Sequence, residues 1–178
     1  MYSWFGFLGL GAFANPKFEG DISGTINAPV KKVFQHLLNL EEIPKYRKEV
    51  VDVILEGKNT KGYPIWKEGT DMGGYIHFEM TEREENSRVR VEMKESSFGM
   101  KGSWDYRLQP DGDKTKITIS EVSEVSSIPI RAIFMIVGKD ANLKKELEIL
   151  NNVFLKRVLL EILIVFNLNL RIVCYPKI

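Results

Sequence analysis

From Glu49 to Val125 the chain passes through six segments of strand character joined by short turns, and this run leaves little choice of fold class. Glu49–Glu56 is apolar and β-branched, and Tyr63–Glu68 contains Trp66. Tyr75–Glu82 places Ile76, Phe78 and Met80 on one face and His77 and Glu79 on the other. Arg88–Glu95 aligns Val89, Val91 and Met93. Phe98–Leu108 sets Met100, Gly102, Trp104, Tyr106 and Leu108 against Lys101, Ser103, Asp105 and Arg107. Lys114–Val125 puts Ile117, Ile119 and Glu121 in one register. An apolar side chain at every second position marks a strand with one buried face. The turns at Gly57–Gly62, Gly73-Gly74, Glu84–Ser87 and Pro110–Asp113 are too short for crossovers, which predicts antiparallel neighbours.

The flanks supply the rest of the architecture. Phe18–Ile26 is a seventh strand, with Phe18, Gly20, Ile22, Gly24 and Ile26 on one face. It turns at Ala28-Pro29 into an amphipathic helix whose stripe is Val30, Val33, Phe34, Leu37 and Leu38. Leu40–Tyr46 is a second short helical segment, limited by Pro44. Pro129 opens one last helix, whose apolar stripe includes Leu143, Leu147, Leu150 and Phe154. Ile130–Val137 is apolar nearly all round, as expected of a helix buried on all sides. The expectation is an α+β fold. A seven-stranded curved antiparallel sheet wraps around a long C-terminal helix, with two short helices after the first strand. That shape usually encloses a cavity.

Composition narrows the function classes. With 25 basic and 24 acidic residues the net charge is +1, which gives no electrostatic pull toward nucleic acid. Cys174 is the single cysteine, and His36 and His77 are the only histidines, so neither an intrachain disulfide nor a zinc site of ordinary ligand type is expected. No cofactor is implied. Tyr2–Ala14 is apolar and uncharged, and Ala12-Phe13-Ala14 resembles a signal-cleavage site, but it lacks a basic n-region. An arm over residues 1–17 that packs on the domain or is disordered, in a cytoplasmic protein, is preferred to secretion; a weak membrane-surface contact stays open. Val153–Ile178 is densely apolar, yet Glu161 and its length argue against a spanning helix. It needs burial in the core, in a partner or in a second copy of the chain.

Ile26-Asn-Ala-Pro-Val-Lys-Lys-Val-Phe34 resembles the opening signature of the SRPBCC superfamily, also called START-like or helix-grip proteins. Leu40-Glu-Glu-Ile-Pro-Lys-Tyr46, Phe98-Gly-Met-Lys-Gly-Ser-Trp-Asp-Tyr106 and Thr115-Lys-Ile-Thr-Ile119 are similar to its second helix and its closing hairpin. Pro129 to Leu150 resembles the last helix of the polyketide cyclase/dehydrase and lipid transport branch. The resemblance covers roughly residues 18–153, the expected domain, and residues 154–178 depart from it as an apolar extension. It implies a hydrophobic cavity that binds a lipid, sterol or polyketide-like molecule. A cyclase or dehydratase is the enzymatic alternative. An interaction module built on the tail is the third.

The inward faces predict a pocket lined by Phe78, Met80, Val91, Met93, Met100, Trp104, Tyr106 and Ile119, with Ile133 and Val137 from the helix. The same side chains could equally fill the core. Glu121 shares the inward register and needs a partner if buried. Arg131 on the facing helix is the candidate, and with Tyr106 these two are the expected polar anchors. A structural salt bridge, or a bulge turning Glu121 to solvent, is preferred to ligand orientation. His77 is expected outside, His36 at the edge of its helix stripe, and Lys144, Lys145, Glu146 and Glu148 on a solvated helix face. Trp66 could line the pocket mouth. Ligand entry would require movement of Gly69–Gly74 and Ser96–Gly99.

Overall fold

Strand β1 (Lys17–Ile26) buries alternate residues, as its period-two pattern requires. It leads through Pro29 into α1 (Val30–Leu38), then a single 3-10 turn at Leu40–Glu42 and α2 (Ile43–Tyr46). The meander is β2 (Val50–Lys58), β3 (Pro64–Thr70), β4 (Tyr75–Glu84), β5 (Arg88–Ser96), β6 (Met100–Asp111) and β7 (Lys114–Val125). These seven strands form one antiparallel sheet in the order β1-β7-β6-β5-β4-β3-β2. The turn between β6 and β7 needs Gly112, whose φ is 61°. This computed structural model describes residues 12–138 and 140–173, with side chains for 12–132, 138 and 140–160.

The single terminal helix expected from Pro129 is instead two helices, α3 (Ile128–Val137) and α4 (Ala141–Val173). Gly138 separates them with a φ of 100°, a conformation outside the helical range that glycine adopts without steric cost. Leu143, Leu150 and Phe154 of α4 are buried against Ile26, Val33, Met80, Val89, Leu108, Ile117 and Ile119, which form the core. The stripe read from the sequence is therefore the face α4 turns to the sheet. Beyond Phe154, Leu155, Leu159 and Leu160 are exposed. No helix among the described residues is long and apolar enough to cross a membrane. Cys174 lies outside the described residues.

The glycines of β1 set how closely α4 approaches. A Cβ at Gly24 would stand 2.7 Å from Leu147 Cδ2, and one at Gly20 would stand 3.4 Å from Leu143 Cδ1. Gly24→Val should therefore push α4 outward and destabilise the fold by about 1–3 kcal/mol, the usual range for overpacking. Thermal unfolding would check this; an unchanged midpoint would mean that Leu147 swings aside freely.

Candidate functional site

Between the concave face of the sheet, α1, α2 and the start of α4 lies a cavity of about 260 Å³. Its apolar wall includes Leu37, Ile43, Val50, Trp66, Phe78, Val89, Val91, Met93, Trp104 and Leu150. Trp66 stacks on Phe78 with ring centroids 5.4 Å apart, and Phe78 meets Trp104 edge-on at 6.2 Å. A broader depression of about 670 Å³ is lined by Lys17, Glu19, Arg90, Glu92, Lys101 and Glu124 among others. Its charged rim suits solvent better than an apolar molecule.

Five of the expected lining residues, Phe78, Val91, Met93, Trp104 and Tyr106, meet at the cavity. Met80 and Ile119 are buried in the core and are not part of the wall. Met100 is half-buried, pairs with Val125 near the end of β6, and stays away from the cavity. Ile133 and Val137 fall among the residues whose side chains lie outside the description.

Glu121 and Arg131 are not brought together. Glu121 points inward and is 1% exposed, so neither the bulge to solvent nor the salt bridge is found. The Ser123 hydroxyl, the Trp104 indole and the Asn142 amide surround its carboxyl. None reaches Oε2, which has no hydrogen-bond partner among the described residues. Burial raises its pKa, and those neighbours offset only part of that. Arg131 instead donates from Nη1 to the Ala14 carbonyl at 3.3 Å, which ties α3 to the segment before β1. The arginine is thus engaged elsewhere, and Glu121 keeps its buried place without a counter-charge among the described residues.

The polar side of the cavity is built from residues that the sequence did not single out. Glu146 of α4 is 8% exposed, so it does not belong to the solvated face expected for it. It falls three residues after Leu143 and four before Leu150, on the buried stripe, and that spacing was the available signal. Arg47, at the end of α2, donates from Nη2 to Glu146 Oε2, and the Tyr106 hydroxyl donates to Glu146 Oε1 at 3.0 Å. Burial opposes the charge on Arg47, but Glu146 together with Tyr106, Glu68 and Tyr46 outweighs it and raises the guanidinium pKa. Burial raises the Tyr106 pKa well above its ordinary value, so it serves as a neutral donor. Glu68, two residues from Trp66 on the inward face of β3, is also 8% exposed. Its Oε1 accepts a hydrogen bond of 3.0 Å from Trp66 Nε1. At the rim, Lys145 Nζ pairs with Glu49 Oε1 at 2.9 Å.

The histidines divide. His77 lies on the outer face, with Nδ1 3.1 Å from Glu56 Oε2. His36 is only 3% exposed, which corrects its placement at a boundary. It packs against the rings of Tyr46 and Phe154 at 4.7 and 5.4 Å, and neither ring nitrogen has a hydrogen-bond partner among the described residues. Among the described residues no group of three or more His, Cys, Asp or Glu could hold a metal ion.

The loops expected to gate entry sit side by side. A Cβ at Gly74 would stand 2.7 Å from the Phe98 ring, and the Tyr75 amide donates to Ser97 Oγ at 3.1 Å.

Residues 17–154 match the family described as polyketide cyclase / dehydrase and lipid transport. No curated protein sequence matches the chain significantly. Among solved structures, a START superfamily protein from Mycobacterium smegmatis is 13% identical, with a TM-score of 0.64 over 78% of this chain and 97% of that one. The ZhuI aromatase/cyclase from Streptomyces sp. R1128 is 12% identical, with a TM-score of 0.67 over 80% and 96%. Norcoclaurine synthase from Thalictrum flavum, solved with dopamine and hydroxybenzaldehyde, is 12% identical, with a TM-score of 0.57 over 83% and 91%. At these identities the likeness is one of fold.

Proposed function

The chain belongs to the polyketide cyclase / dehydrase and lipid transport family, and on that premise we propose that it binds a small hydrophobic molecule in the cavity between the sheet and α4. The observation that carries this reading is the 260 Å³ space, walled by stacked aromatic and aliphatic side chains with a few polar groups gathered at one side. Ligand sites are usually of this composition, and the volume falls just below their usual range of about 300–1,000 Å³, which points to a small ligand. Burial of apolar ligand area, at about 25 cal/mol per Å², would drive binding.

An enzymatic reading would require two polar groups facing a substrate with room between them. Glu121 and Arg131, the pair first in view for that role, do not meet. Arg47, Glu146 and Tyr106 satisfy one another. Binding without catalysis is therefore the reading supported best.

Native mass spectrometry of gently purified protein tests it, with a discrete adduct of a few hundred daltons expected. Val91 lines the cavity opposite Trp104 in the sheet register. Val91→Trp should fill the space, abolish the adduct and weaken binding of an apolar probe at least tenfold. The fold should survive, with a cost of about 1–3 kcal/mol. An adduct retained at full occupancy would place the ligand elsewhere.

A further inference from the structure

The charges along the polar side of the cavity do not balance. Arg47 pairs with Glu146, and Lys145 pairs with Glu49. The Tyr106 hydroxyl is also committed to Glu146. Glu68 is left over. Its one hydrogen bond among the described residues comes from the Trp66 indole, and it forms no ion pair there. Its position is firmly set, because Trp66 is 2% exposed and stacked on Phe78. A carboxyl group with one of its two oxygens free of any hydrogen bond among the described residues thus lines the chamber. Burial favours its neutral form, while the hydrogen bond from Trp66 and the charge on Arg47 act in the other direction.

We propose that Glu68 recognises the polar end of the ligand, selecting an apolar molecule headed by a hydrogen-bond donor, a protonated amine above all and a hydroxyl next, and rejecting one headed by a carboxylate. This rests on the reading of the cavity as the ligand site. An ammonium head would supply the missing counter-charge and turn a buried lone carboxyl into a charge-assisted pair. A hydroxyl would complete its hydrogen bonding without a charge. A carboxylate head would enter a site that already holds Glu49, Glu68 and Glu146, with both cations paired. It would set a second acidic group against Glu68, and one of the two would have to keep a proton or both would repel in a medium that screens poorly.

Octylamine, octanol and octanoate share one apolar chain and differ only in the head. Their dissociation constants for the full chain at pH 7.5, measured by calorimetry, test the proposal. Octylamine is expected to bind at least tenfold more tightly than octanoate, with octanol between them. In Glu68→Gln the Trp66 N–H keeps an acceptor, so the cavity should hold its shape. Octylamine should then fall to the affinity of octanol, while octanol stays within threefold of its wild-type value. Octanoate binding as tightly as octylamine to the wild type would overturn the proposal without any variant. So would an amine preference that survives in Glu68→Gln. Equal binding of all three would overturn this selectivity and leave the cavity reading standing. Binding of none would remove both.

Discussion

Replacing His36 with leucine should make the protein more resistant to acid unfolding, and the advantage over the wild-type chain should grow by about 3 kcal/mol between pH 7 and pH 4. Burial, with Arg157 nearby, lowers the His36 pKa from 6.5 to about 4, while Glu146 and Glu42 oppose this and Arg47 adds to it. The folded state therefore keeps the ring neutral where the unfolded chain takes up a proton. Stability is full above pH 6.5 and is lost as the pH falls toward 4, by up to about 1.4 kcal/mol per pH unit. Glu68 and Glu121, whose pKa values burial raises, act in the opposite direction and are common to both proteins. The difference between variant and wild type isolates the histidine. At pH 7 the leucine should already be worth about 1 kcal/mol or more, because two ring nitrogens without partners among the described residues leave the core. Urea unfolding at both pH values checks this; two parallel stability curves would mean that the ring finds a proton acceptor or water in solution.

The opposite effect is expected at Glu146. Glu146→Leu should destabilise the protein by about 3–5 kcal/mol, the range for removing one partner of a buried pair. Both side chains are largely buried, at 26% exposure for Arg47 and 10% for Glu146. The loss would leave the Arg47 guanidinium without its counter-charge and the Tyr106 hydroxyl without its acceptor. Adding Arg47→Met should recover a large part of the loss, since an apolar pair of similar volume avoids the desolvation of both ions. A double variant whose loss equals the sum of the single losses would show that the two residues act independently.

The elements were legible because their periods are unambiguous. Every strand from Phe18 to Val125 appears within a few residues of where alternation, or for β2 and β3 composition and flanking turns, placed it, and the inward register of Phe78, Val91 and Tyr106 followed directly. The division of the last helix was not read, although Gly138 stood in the sequence. A glycine within a helical pattern breaks it only when its backbone turns to positive φ, and composition does not show this. Glu146 and Glu68 were missed for a common reason. A charged residue on an apolar face looks like a solvated interruption until its partner is known, and Arg47 lies 99 residues from Glu146 in the chain. Glu121 was read as inward, but its expected partner was chosen by proximity along the sheet and helix. Arg131 turned to a backbone carbonyl instead.

The seventh strand ends at Val125, and α4 begins only at Ala141. Any sheet that forms during synthesis before α4 has emerged has only α1 and α2 to cover its concave face, and the side of Val89, Leu108, Ile117 and Ile119 that meets Leu143, Leu150 and Phe154 stays open. Tyr106, already in place, has no acceptor until Glu146 is added. The cavity is thus closed by a segment made after its walls. In this interval the nascent chain is most exposed to association with other chains or capture by a chaperone, and docking of α4 ends the exposure.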